Sequence, residues 1–189
     1  MDIIKIVDQT KDLIINPKGT LKKLKNKKVN RNDIIIYLAV VGFPTFLGIF
    51  IGLGIYGFWA QAFVRAIVFY ILAIGGILFF GYIYNEFAPN FKSKKNLMQS
   101  VKLIAYSSTP WLLAGILWIV PLNGIWVLSF LAGLYGVYIL YLGLPIYLET
   151  PNDQQAPYLL FGIILMAIVM AITAYLSRII WLSTFRGPF

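Results

Sequence analysis

Cysteine and histidine are both absent from this chain of 189 residues, and carboxylates are scarce. The absence of cysteine and histidine excludes disulfides, thiol nucleophiles, haem ligation by histidine and the usual zinc and copper sites. None of the seven aspartate and glutamate residues lies at the centre of an apolar run, so a proton relay of buried acids is not expected. The pairing of Ser107 or Ser108 with Lys102 lacks an oxyanion-hole signature. The sequence therefore predicts no catalytic residue, no metal site and no cofactor.

Long apolar runs dominate what is present. Hydrophobic residues make up 60% of the chain, and the mean hydropathy is +0.80. Because about 20 apolar residues cross a bilayer as one helix, the sequence predicts an all-α polytopic membrane protein, a bundle of five transmembrane helices. The predicted spans are residues 34–56, 62–84, 101–120, 125–148 and 158–182. They form one transmembrane domain, residues 34–182, between a cytoplasmic surface segment at residues 1–33 and a short outer tail at residues 183–189.

The N-terminal segment is amphipathic and basic. Residues 1–15 place isoleucine, valine and leucine on one side of a helical wheel and mostly charged residues on the other. Asn16-Pro17 then breaks the chain, because the residue before a proline resists the α conformation. The following short helix carries five lysines that are predicted to contact anionic lipid: Lys22, Lys23, Lys25, Lys27 and Lys28. A partly disordered basic leader is the alternative interpretation of this segment.

The distribution of basic residues predicts the orientation in the cell membrane. With the N-terminus in the cytoplasm, thirteen lysines and arginines lie on the inner side and three on the outer side. Because inner loops are enriched in these residues, the N-terminus is predicted to be cytoplasmic and the C-terminus outside. Nine of the sixteen basic residues precede the first span. Their place beside the membrane favours the lipid bilayer and its anionic lipids as partners, and not nucleic acid.

A candidate polar intramembrane site lies in the third and fourth predicted spans. Pro110 lacks an N–H and frees the carbonyl of Tyr106, while neighbouring hydroxyls can satisfy local backbone groups. A tyrosine stripe follows on the fourth span. The candidate residues are Tyr106, Ser107, Ser108, Pro110, Tyr135, Tyr138 and Tyr141. Proline kinks that shape a bundle, and tyrosines that make interhelical hydrogen bonds, are the alternative interpretation.

Small residues on the fourth span predict a seam that packs closely against another helix. Ser129, Gly133, Gly136 and Gly143 are spaced so that they share one helical face. Glycine on such a face allows two backbones to approach closely. Gly48 and Gly52 offer a similar spacing on the first span. Packing within the chain is favoured over self-association, although other membrane proteins remain possible partners.

One stretch of the sequence resembles a known family. The stretch AYSSTPWLLAGILWIVPLNGIWVLSFLAGLYGVYILYLGLPIYLETP, residues 105–151, resembles the Yip family, which is named for proteins that interact with Ypt/Rab GTPases. Asn16-Pro17 ahead of a basic stretch, and the five predicted spans, are similar to its short prokaryotic members. The resemblance implies a five-helix bundle with a cytosolic N-terminus and no enzymatic activity.

The resemblance also sets the functional expectation. Eukaryotic members act in vesicle traffic by binding Rab GTPases and one another. We expect no counterpart of their long cytosolic N-terminal region. Their aspartate-leucine-tyrosine-glycine-proline motif is not found in the sequence, where Leu134-Tyr135-Gly136 is the nearest counterpart. The expected function is therefore a non-enzymatic membrane protein that acts through lipid contact and partner binding. A small transporter or channel that uses the polar intramembrane site is the alternative.

Overall fold

The computed structural model describes residues 2–27, 29–120 and 125–184, with side chains described except at residues 125–126 and 180–184. Every regular element in these ranges is helical. Short 3₁₀ turns lie at Ala88–Phe91 and Gly115–Ile119. The helices are α1 Ile3–Ile15, α2 Pro17–Lys25, α3 Arg31–Gly54, α4 Trp59–Phe87, α5 Leu97–Ser107, α6 Thr109–Ala114, α7 Ile125–Tyr147 and α8 Asn152–Thr184.

Four of the helices in the described part of the chain are long and apolar enough to cross a membrane. They are α3, α4 together with its 3₁₀ turn, α7 and α8. They correspond to the first, second, fourth and fifth predicted spans. The structure therefore confirms an all-helical architecture for the described residues, with four helices that could span a membrane, but it does not confirm five spans.

The third predicted span differs because it is broken into α5, α6 and the turn Gly115–Ile119. We call these three elements the interrupted segment. Pro110 removes one backbone donor, and the Ser108 and Thr109 hydroxyls donate to the carbonyls of Ile104 and Ala105 at 2.9 and 3.3 Å. The Ile104 carbonyl also accepts from the Ser108 N–H at 3.0 Å, so the hydroxyl bonds add to the backbone bonding at the break. The predicted hairpin turn that follows, residues 121–124, lies outside the described residues.

The interrupted segment runs alongside α3 in the same direction. Residue numbers increase on both elements from one contact to the next: Tyr37 with Thr109, Thr45 with the Leu112 carbonyl, and Gly52 with Trp118. A Cβ atom at Gly48 or Gly52 would collide with the backbone of Gly115 or Trp118. The glycine pair of the first predicted span therefore packs within the chain.

The other long helices pack antiparallel to their neighbours. The Tyr70 hydroxyl on α4 donates to the Ala39 carbonyl on α3 at 2.6 Å. Tyr84 of α4 and Tyr158 of α8 stack at 4.1 Å, and each hydroxyl donates to the carbonyl of the other residue, at 3.0 and 2.6 Å. Reciprocal bonds between buried hydroxyls and carbonyls satisfy polar groups that lipid could not.

Helices α1 and α2, which we call the N-terminal hairpin, pack onto one end of the bundle. We call this end of the bundle the hairpin end. Asn16 accepts a hydrogen bond from the Gly19 N–H at 3.1 Å, and Pro17 begins α2, so the predicted break is a tight corner. Ile6 and Leu13 of α1 and Leu21 of α2 are fully buried. The N-terminal hairpin shares one hydrophobic core with the long helices.

Candidate functional site

A buried lysine joins the N-terminal hairpin to the bundle. Lys102 on α5 is only 2% exposed. Its Nζ donates to the carbonyls of Leu24, Lys25 and Lys27 at 2.9, 3.2 and 3.1 Å. These carbonyls lie at and beyond the C-terminal end of α2, where helical carbonyls lack partners and the helix dipole is negative. Lys102 thus neutralises the end of α2 and holds it against α5.

A cluster of three buried tyrosines lies next to this lysine. Tyr106 packs edge-on against Tyr37 at 5.1 Å and against Tyr147 at 6.4 Å. The Tyr37 hydroxyl lies 2.6 Å from the Thr109 hydroxyl, and the Lys102 ammonium lies 5.8 Å from the centre of the Tyr147 ring. An ammonium at that distance is attracted by the negative face of the ring. The cluster therefore couples α3, α5 and α7 to the lysine.

Polar side chains on the buried face of α1 lie beside the tyrosine cluster. Gln9 and Thr10 are buried on α1, beside Tyr106 and Tyr37 respectively. The Tyr147 hydroxyl is buried and has no hydrogen-bond partner among the described residues. Polar side chains of α1 thus face polar side chains of the bundle, but Gln9 Nε2 and Thr10 Oγ1 make no hydrogen bond within the described residues.

The predicted intramembrane site is divided in the structure. Four of its residues lie at the break between α5 and α6: Tyr106, Ser107, Ser108 and Pro110. The Ser107 hydroxyl is buried and has no hydrogen-bond partner within the described residues.

The tyrosine stripe of the predicted site lies elsewhere. Tyr138 and Tyr141 are 49% and 42% exposed on the face of α7 that points away from the bundle. The Tyr135 hydroxyl donates to the Ile14 carbonyl at 2.7 Å. Tyr135 therefore holds the end of α1 and does not join the site at the break.

An apolar cleft of about 220 Å³ opens beside this break. It lies between α4, α7, α8 and the interrupted segment, and Ser107 and Ser108 line it along with aromatic and aliphatic side chains. Other lining residues include Phe69, Trp111, Trp118, Met170 and Thr173. The lining suits an apolar molecule better than a column of water.

The predicted packing seam meets α5 at two of its four positions. A Cβ at Gly136 would collide with the Ser107 carbonyl, and one at Gly143 with the Leu103 side chain. Gly133 instead lies on the cleft, and its Cβ would meet nothing within 4 Å. Ser129 is buried. The small residues therefore serve both close packing and the opening of the cleft.

The lysines of the N-terminal hairpin have different surroundings. Lys22, Lys23 and Lys27 are exposed. Lys25 is half-buried and lies 3.7 Å from Glu149, which also pairs with Lys94 at 3.3 Å. Lys28 lies outside the described residues.

Sequence reasoning missed Lys102, Tyr37 and Tyr147 as parts of one site. Lys102 has the sequence signature of an ordinary basic residue at a membrane boundary, and the two tyrosines have that of interfacial aromatic residues. Only their common burial separates them from such residues. Within the described part of the chain, no cluster of three or more acidic residues could hold a metal ion.

The family model of the Yip1 domain matches residues 11–176, which include most of the N-terminal hairpin, all of α3, α4 and α7, and most of α8. The chain belongs to the Yip1 domain family. The family predicted from residues 105–151 is thereby confirmed. With its several apolar helices, this Yip1 domain is a multi-pass integral membrane protein.

Curated relatives agree with this assignment. The chain is 25% identical over 125 residues to the inner membrane protein YohC of Escherichia coli strain K12, and equally to that of E. coli O6:H1. The alignment covers 62% of this chain and 63% of each relative, so the chain spans less than two thirds of their length. No solved structure matches the chain. The name of these relatives describes an inner membrane protein, and neither that name nor the name of the family refers to a reaction.

Proposed function

We propose that this Yip1-domain protein acts without catalysis, through lipid contact and partner binding at the surface of the cell membrane. The observation that carries the proposal is the docking of the N-terminal hairpin by Lys102, because it turns a basic leader into a structured surface. The surface contains exposed lysines, including Lys22 and Lys23, and exposed apolar side chains on α1. Both are what an anionic membrane surface binds.

The faces of α1 support a position in the membrane interface. One face, which includes Ile6 and Leu13, is buried against the bundle. An adjoining face exposes Ile3, Ile4 and Val7, at 62%, 70% and 56%. Charged residues such as Asp8 and Asp12 occupy the remaining side. A helix that is held on a bundle and exposes apolar residues beside charged ones suits the boundary between lipid and water.

The proposed topology has five passes, with the interrupted segment as the third. Irregular backbone is tolerated at membrane depth where other helices cover it, and this segment packs on α3 and α7. The excess of lysine and arginine at the hairpin end supports a cytoplasmic position for it. The description of YohC as an inner membrane protein supports the cell membrane as the location.

The test measures amide hydrogen exchange of the full chain in nanodiscs of anionic or neutral phospholipid. We expect α1 and α2 to exchange more slowly in anionic nanodiscs, and Lys22→Gln with Lys23→Gln to remove most of the difference. The control, Lys92→Gln with Lys94→Gln, removes the same charge from the same end of the molecule and is expected to preserve it. Equal exchange of the wild-type hairpin in both lipids contradicts the proposed lipid contact.

The cleft beside the break is the place where a second candidate function, the passage of a small molecule across the membrane, can be tested, although its apolar lining is better suited to lipid. A transport path must admit water or a solute, and the chain contains no cysteine that would interfere with labelling. Gly133→Cys places a thiol in the open space of the cleft. Reaction of this thiol with a membrane-impermeant maleimide would support transport. Protection of the thiol, with Lys94→Cys labelled as the positive control, would favour a cleft filled by lipid.

A further inference from the structure

A second groove, distinct from the cleft, lies at the hairpin end. It has a volume of about 450 Å³ and lies between the start of α3, the last third of α4 and the start of α5. Its walls are apolar and are formed by Ile34, Leu78, Met98 and Val101. The exposed side chains of Arg31 and Tyr82 line the same groove, and we call these two residues its rim. We call it the headgroup groove.

The rim of the headgroup groove is positively charged. Arg31 is exposed and makes no ion pair within the described part of the chain. Glu86, one turn beyond Tyr82 on α4, is neutralised by Lys95 at 2.6 Å. Asp33 lies two residues after Arg31, and residues at that spacing do not share a helical face. The rim therefore presents a guanidinium whose charge the neighbouring acids do not cancel.

The order of polar and apolar side chains along the groove matches the order of polar and apolar groups in a phospholipid. Ile34 lies one turn from Arg31 along α3, and Leu78 lies one turn from Tyr82 along α4. One turn is about 5.4 Å, so polar side chains and apolar walls follow one another over a short distance. A phosphate followed by an acyl chain has the same order. A partner helix would need an apolar groove several turns long.

We propose that the headgroup groove binds one anionic phospholipid. The Arg31 guanidinium donates to the phosphate, which it can bind with two parallel hydrogen bonds. The Tyr82 hydroxyl adjoins the headgroup, and one acyl chain lies along Ile34, Leu78 and Val101. This inference rests on the lipid-contact part of the proposed function, but it names a single bound lipid at a place apart from the lysines of α2.

The test counts lipids that remain bound to the full chain in native mass spectrometry after titration with phosphatidylglycerol or phosphatidylcholine. Wild type is expected to retain one phosphatidylglycerol in preference to phosphatidylcholine. Arg31→Gln should weaken this binding roughly tenfold, because a charge-assisted pair is lost. Lys18→Gln is the matched control: it removes one exposed positive charge from the same end and should change little.

A variant that fills the groove separates chain binding from headgroup binding. Leu78→Trp should lower retention of both lipids, provided that its elution and helical content match those of wild type. Arg31→Gln, at an exposed position, keeps the test valid if Leu78→Trp does not fold.

Four results would overturn the proposal. Equal losses in Arg31→Gln and Lys18→Gln would show diffuse attraction, with the wider lipid contact intact. Absence of any preference in wild type would remove the lipid contact as well. Full competition by glycerol phosphate would indicate a phosphate site without a chain. A second protein chain held at the groove would replace the lipid as its occupant.

Discussion

Lys102 is the polar residue that joins the N-terminal hairpin to α5. Replacement by methionine keeps a similar side-chain length but removes the ammonium donor from the carbonyls of Leu24, Lys25 and Lys27. The first two keep longer bonds, from the Lys27 N–H at 3.3 Å and the Gln99 amide at 3.4 Å, whereas the Lys27 carbonyl keeps no other donor among the described residues. Leaving buried acceptors unsatisfied costs roughly 1–3 kcal/mol. Lys102→Met should therefore lower the free energy of unfolding in detergent by about that amount and speed proteolysis within α2. The exposed Lys18→Met serves as the control, and equal stability of the two variants would contradict this role.

Two glycines three residues apart on α7 provide a matched pair. Gly136 lies against the Ser107 carbonyl, whereas Gly133 borders open space. Gly136→Leu should destabilise the bundle by about 1–3 kcal/mol, the usual cost of overpacking. Gly133→Leu should change the thermal unfolding midpoint little, because its side chain can enter the cleft. Thermal unfolding in detergent checks both, and an unchanged midpoint for Gly136→Leu would mean that this position faces lipid.

At the scale of elements, α1 is held by its buried face and not by the membrane alone. Leu13 is fully buried, whereas Ile4 on the same helix is 70% exposed. Truncation of a buried leucine to alanine costs roughly 2–5 kcal/mol. Leu13→Ala should therefore release the N-terminal hairpin and raise amide exchange across residues 3–25. Ile4→Ala should leave exchange in detergent nearly unchanged, and the same rise in both variants would argue against a docked helix.

The interrupted segment shows which parts of an element are predictable. Pro110 and the hydroxyl-rich run before it predicted a kink from sequence, because proline removes a donor. The continuation as a 3₁₀ turn, Gly115–Ile119, was not predicted. That turn lies where Gly115 meets Thr45 of α3, and hydropathy contains no information about such a contact.

At the scale of the whole molecule, the topology predicts which positions water reaches from each side. Phe58 and Val120 are exposed and are expected at the outer surface, and exposed Lys94 at the inner surface. Because the chain has no cysteine, each single cysteine variant reports one position. In right-side-out vesicles, an impermeant maleimide should label Phe58→Cys and Val120→Cys, and should label Lys94→Cys only after permeabilisation. Labelling of Val120→Cys together with Lys94→Cys would mean that the interrupted segment does not cross the membrane.

The sequence by itself determined the class of molecule and most of its elements. Runs of about 20 apolar residues can be stable only as helices in lipid, and a break at Asn16-Pro17 follows from local sterics. The family was also recognisable, because the stretch at residues 105–151 is a local pattern.

The tertiary structure decided which polar residues act together. Lys102 donates to the carbonyls of Leu24, Lys25 and Lys27, about 75 positions earlier in the chain. Tyr106 packs against Tyr37 and Tyr147, and not against the tyrosine stripe. The isoleucines on the predicted apolar side of α1 were likewise divided between a buried and an exposed face. Helical periodicity specifies a face, but only the packed neighbours specify what covers it.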